Sequence, residues 1–131
     1  MWHEVSARLC AARDSIHKAL LENRMNDLIE RLEAMLARGQ DTMLLRFSLG
    51  KAYTELNQFT RAIEHLRAAL AFDPLYSVAW KWLGKALLGL GDTDGARQAW
   101  EQGSLVAQQR GDQQLVKEMA IFIKRLNRPA T

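Results

Sequence analysis

The sequence predicts an all-α fold of antiparallel helix pairs stacked in series, and three observations carry the prediction. The composition suits helices: 131 residues contain 8 Gly and only 2 Pro, with 48% hydrophobic and 25% charged side chains, and Gly and Pro are what a helix interior tolerates least. The tetrapeptide Leu49-Gly50-Lys51-Ala52 returns as Leu83-Gly84-Lys85-Ala86, 34 residues later. Apolar residues also recur three and four apart along most of the chain, the period of an amphipathic helix. A chain of 14.9 kDa folds to roughly 7,000 Å² of surface from about 21,600 Å² unfolded, enough for one core without disulfides or metals.

Laid without gaps over residues 77–110, residues 43–76 give six identities: the four tetrapeptide pairs, Leu56/Leu90 and Ala62/Ala96. Chance gives about two. A mid-helix Gly costs ~1 kcal/mol relative to Ala, so Gly50 and Gly84 need a reason. Close approach of two helices supplies it, with Ala62 and Ala96 as the small partners and Tyr53, Leu66, Trp80 and Trp100 filling the space beside.

This unit resembles the tetratricopeptide repeat, whose signature runs W-x₂-L-G-x₂-Y…A-x₃-F…P. Residues 43–76 match it at Leu49, Gly50, Tyr53, Ala62 and Pro74, with Leu66 in the aromatic place and Arg46 in that of the Trp. Residues 77–110 match at Trp80, Leu83, Gly84 and Ala96, with Trp100 as the aromatic, Leu87 for Tyr and Gln108 for Pro. The resemblance implies a right-handed superhelix of about seven helices in a single domain over residues 1–131. Its concave groove would bind a peptide or a partner helix, as in an adaptor, scaffold or co-chaperone.

In chain order, Val5, Leu9, Ala12, Ile16 and Leu20 mark a first helix and Leu28, Leu32, Met35 and Leu36 a second, with a turn near residues 22–26 and Gly39 at the end. Residues 1–42 thus read as a degenerate hairpin capping the stack, with Ile16 in the Gly place and Leu28 in that of the Ala. Asp41-Thr42 caps the next helix, to about residue 56, and Asn57-Gln58 turns the chain into a helix over about 60–72. Asp73-Pro74 reads as an N-cap and first helical residue for a helix over about 75–88. Gly89, Gly91 and Asp92-Thr93 make the next turn, before a helix over about 93–109. Gly111 and Asp112 then separate it from a lone capping helix within 111–127. Residues 128–131 should fray.

The net charge of +3 and pI near 9.3 are a mild basic excess without runs, and no two-residue base-reading pattern recurs per repeat, which speaks against nucleic acid. Cys10 is alone, so no internal disulfide ties the fold to an oxidising compartment. No stretch reaches the ~18 apolar residues of a membrane span, and charges interrupt the N-terminus before any signal-like apolar run. A cytoplasmic protein is the expectation. Gly50-Lys51 and Gly84-Lys85 are not phosphate loops, because Leu45 and Ala79 stand where the loop's first Gly belongs. His3, Cys10 and His17 are spaced by sevens, ~10.5 Å of helical rise, too far for one metal ion. No nucleophile has a base within reach, so the reading is no enzyme, no cofactor and no metal.

The resemblance puts function on the first helix of each pair. The face left over from packing presents Leu44, Phe47, Ser48 and Lys51 in one repeat and Val78, Lys81, Trp82 and Lys85 in the next, with Arg13 and His17 continuing the row. Phe47 and Trp82 are aromatics that the packing motif does not require, and Trp is enriched at binding hot spots. Beside three lysines they suit an acidic peptide or a free C-terminal carboxylate. His17 and Ser48 stand where the carboxylate clamp of chaperone-binding relatives places Asn, which speaks against a chaperone tail. The rival reading is a self-assembly module that forms a homo-oligomer, such as a homodimer, through the last helix, whose Leu115, Val116, Met119, Ala120, Phe122, Ile123 and Leu126 form a broad apolar stripe.

Overall fold

The computed structural model describes residues 2–128 and contains six helices among them: α1 (Trp2–Ala37), α2 (Met43–Glu55), α3 (Phe59–Phe72), α4 (Ser77–Leu90), α5 (Thr93–Gln109) and α6 (Gln113–Leu126). α2 packs on α3 and α4 on α5, the two pairs join through α3 and α4, and α6 closes over α5. α2, α4 and α6 also touch in sequence, forming an inner row with α1 beside α2. This is an α-solenoid.

Side-chain caps set three of the six starts. Thr42 Oγ1 accepts the Leu45 N–H at 3.2 Å, Asp92 Oδ1 that of Gly95 at 2.9 Å, and Asp112 Oδ1 that of Leu115 at 3.2 Å, each satisfying an orphan donor of a first turn. Gly91 and Gly111 adopt φ of +94° and +76°, and the next residue's N–H bonds back to Leu87 O and Ala107 O respectively, at 2.9 Å in each case. Only a left-handed residue allows that closure cheaply. Both boundaries of α4 differ from expectation: Gly89, expected in the turn that follows, lies inside the helix, which runs to Leu90. Pro74 does not begin α4. It occupies the second position of a turn closed by Tyr76 N–H to Asp73 O at 3.2 Å, while Asp73 Oδ1 accepts the Leu75 N–H. Proline favours that turn position, so α4 begins at Ser77.

The N-terminal hairpin expected over residues 1–42 is absent. α1 runs unbroken for 36 residues, about 54 Å at helical rise. Residues 21–27 hold neither Gly nor Pro, so nothing compels the turn expected there. Residues 2–24 are exposed throughout, and Ile29 is the only buried residue of α1. The tail expected to fray, residues 128–131, lies outside the described residues apart from Arg128.

The core has large members in Leu49, Leu66, Trp100 and Met119, with Ala62, Ala79, Ala86, Ala96 and Ala107 fully buried between them. Both motif glycines face the large residue of the partner helix, and Gly50 also approaches the backbone of Ala62. A Cβ on Gly50 would fall on Leu66 and within 3.3 Å of Ala62 O, and one on Gly84 on the Trp100 indole. The residue that displaced the signature Trp also has a structural role. Arg46 pairs with Asp41 at 2.7 Å and reaches His65 Nδ1 at 3.1 Å. Guanidinium only donates, so Nδ1 accepts and the proton sits on Nε2, 3.4 Å from Glu33 Oε1. Tyr53 stacks on the His65 ring and donates its hydroxyl to the same Glu33 oxygen at 2.7 Å. α1, α2 and α3 are thereby tied by one polar network.

Candidate binding groove

The inner row of α2, α4 and α6 brings together residues that are far apart in sequence. Trp82 of α4 is partly buried against the core. The Lys85 ammonium lies 4.5 Å and the Lys51 ammonium 5.5 Å from its ring centroid. Lys85 also stands 5.4 Å from the Phe122 ring of α6, so its charge is held by two aromatic faces. Burial, and then the neighbouring Lys81, lower its pKa below the usual lysine value. The third lysine is engaged: Lys81 Nζ donates to Glu118 Oε2 at 2.8 Å, and that hydrogen bond holds the Glu118 carboxyl below its ordinary pKa.

Two clefts flank this centre. One, of about 260 Å³, is bounded by Met25 and Leu28 of α1 and by Phe47, Ser48, Lys51 and Glu55 of α2. The other, of about 330 Å³, lies among Lys85, Leu88, Trp100, Phe122 and Arg125. A larger opening of about 510 Å³, which includes Arg67, Trp80, Gln98 and Gln102 in its walls, lies at the seam of α3, α4 and α5. It is a packing seam: its Trp80 already donates its indole N–H to Pro74 O at 2.9 Å.

Of the residues expected in the groove, the structure gathers Phe47, Ser48, Lys51, Lys81, Trp82 and Lys85. Phe47 packs edge-on against Tyr76 with centroids 5.0 Å apart, and Val78 joins the core margin. Leu44 is exposed. Arg13 and His17 do not continue the row. Their placement rested on the missing hairpin, and they lie on the projecting part of α1, His17 about 12 Å of helical rise before Met25, where α1 meets the groove. Sequence reasoning missed the α6 contributors Glu118, Phe122 and Arg125, having treated that helix as a lid. Their spacing of four and three, on the flank of the face that buries Leu115 and Met119, was the available signal.

These features define the chain as a helical-repeat solenoid with an aromatic and cationic inner face. The tetratricopeptide repeat model matches residues 29–77 and 47–112, and the chain belongs to that family. It is 52% identical over 104 residues to a TPR repeat-containing protein of Pseudomonas aeruginosa, an alignment covering 79% of this chain and 99% of that one. The solution structure of a Bordetella parapertussis protein shares 68% identity at a TM-score of 0.68, over 75% of this chain and 85% of that one. The crystal structure of MamA has the same fold at 23% identity and a TM-score of 0.59, over 78% and 66% respectively. No helix among the described residues is long and apolar enough to cross a membrane.

Proposed function

We propose that the chain is a non-enzymatic interaction module, and that its inner face binds an extended peptide with an acidic group or free C-terminal carboxylate beside an apolar residue. The observation that supports this best is Trp82 with two ammonium groups, those of Lys51 and Lys85, within 5.5 Å of its ring centroid. The indole offers a rigid apolar surface, and the cations over it have no carboxylate within ion-pair distance among the described residues, unlike Lys81. A ligand carboxylate at Lys51 and Lys85 would satisfy both halves. The rival, association through α6, has less apolar surface to use: Leu115 and Met119 are buried and Val116, Phe122, Ile123 and Leu126 partly buried against the core, which leaves Ala120 of that stripe exposed. Fluorescence anisotropy with labelled peptides bearing a free or an amidated C-terminus tests the reading. Trp82→Ala should weaken binding about thirty-fold at any salt, the size of a hot-spot loss of ~2 kcal/mol. Lys51→Ala with Lys85→Ala should weaken it chiefly at low salt, and Lys81→Ala least. Peptides whose affinity ignores both amidation and Trp82→Ala would refute the groove.

A further inference from the structure

Residues 2–24 of α1, which precede the family match, pack against nothing among the described residues. Residues 2–24 are exposed at every position, including Trp2, Leu9 and Ile16 at 85%, 66% and 62%. The molecule exposes 8892 Å² where a compact chain of its mass exposes roughly 7,000 Å². In proteins most helical stability comes from tertiary packing of an apolar face, so this exposed stripe calls for an occupant.

The stripe is a heptad seam. Trp2, Leu9 and Ile16 repeat every seven residues at one seam position, and Val5, Ala12 and Ala19 at the other, with Asn23 and Asn26 closing the run. Large and small residues therefore alternate along it. Two copies laid antiparallel, with Leu9 level with Ala19 of the second copy, interdigitate large against small: Leu9 with Ala19, Ile16 with Ala12, Val5 with Asn23. This is the packing that a close helix pair requires. The charges beside the seam select the same arrangement. Antiparallel, Arg8 meets Glu22 of the second copy, twice by symmetry, and Arg13 meets its own counterpart across the two-fold axis. Parallel, Arg8 would face Arg13 and Glu22 would face Asp27, each twice, and every charged pair would repel.

We propose that the chain forms a homodimer through an antiparallel pairing of the projecting half of α1, leaving the two solenoids at opposite ends with their grooves open. The interface is distinct from the groove and from α6. Sedimentation velocity of the full chain over a wide concentration range, in a Cys10→Ser background, tests it. The parent should be dimeric, and Ile16→Glu should raise the dissociation constant more than about tenfold while leaving the thermal melt of the solenoid unchanged. Arg8→Glu should weaken the dimer several-fold, the double variant Arg8→Glu with Glu22→Arg should restore it, and Arg13→Gln should tighten it. A parent that stays monomeric at all concentrations overturns the proposal. So does a dimer indifferent to Ile16→Glu, which would place the contact elsewhere, or one tightened by Arg8→Glu, which would be parallel.

Discussion

Two glycines occupy the same motif place yet meet different neighbours. Gly84 faces the Trp100 indole, whose N–H is bonded to Lys81 O at 3.0 Å and whose ring packs on Phe122 at 5.1 Å. Gly50 faces the Leu66 side chain at Cγ and Cδ2, fully buried but anchored by no hydrogen bond. Alanine at either gains about 1 kcal/mol of helix propensity, against overpacking of about 1–3 kcal/mol. Urea denaturation should thus show Gly84→Ala clearly destabilised and Gly50→Ala much less so. Equal midpoints would mean that Trp100 is not pinned. His65 gives a second prediction at this scale. Burial, and the Arg46 charge against its ring, lower its pKa in the folded state despite Glu33 beside it. The unfolded chain then binds the proton more readily, so stability is full above the ordinary histidine pKa of about 6.5 and falls as pH drops towards the folded value. His65→Gln should flatten that part of a urea-midpoint profile against pH. An unchanged slope would place the titrating group elsewhere.

Among the helices, α6 shows both what sequence order discloses and what it hides. Its start was legible because Gly111 and Asp112 carry turn and cap chemistry in the sequence itself, as Thr42 does for α2. The pairing of Lys81 with Glu118 was not, because two residues 37 apart meet only once the superhelix sets their distance. The first helix was misread for another reason. Apolar spacing tells which face of a helix wants cover, not whether the chain turns back to provide it. Residues 21–27 offer cap-type side chains in Asn23, Asn26 and Asp27 but neither Gly nor Pro, and cap-type residues alone do not force a turn. α6 supplies such cover for the other end of the stack. Removing residues 112–131 would uncover the partners of Leu115 and Met119, each worth ~1.5–3 kcal/mol when fully buried. The truncated chain should melt well below the parent by circular dichroism, with red-shifted Trp100 emission. An unaltered melt would show that the last pair needs no cap.

For the molecule as a whole, nearest-neighbour stacking makes stability a sum along one dimension. α4 touches α2, α3, α5 and α6, whereas α1 packs against α2 through the few apolar side chains around Ile29, Leu32 and Leu36 and reaches α3 through Glu33 and His65. Local opening should therefore cost least at the N-terminal end and most in the middle. Hydrogen exchange should find α4 amides the slowest, α2 and α6 intermediate, and residues 2–24 fastest in dilute solution. Two truncations test the same gradient. Leu83→Ala, at the centre, should lower protection in α3, α4 and α5 together, by about 2–5 kcal/mol where opening is global. Ile29→Ala should release α1 and leave α4 unmoved. If Ile29→Ala instead lowered protection everywhere alike, the chain would open as one unit, and α1 would be part of its core rather than an arm attached to it.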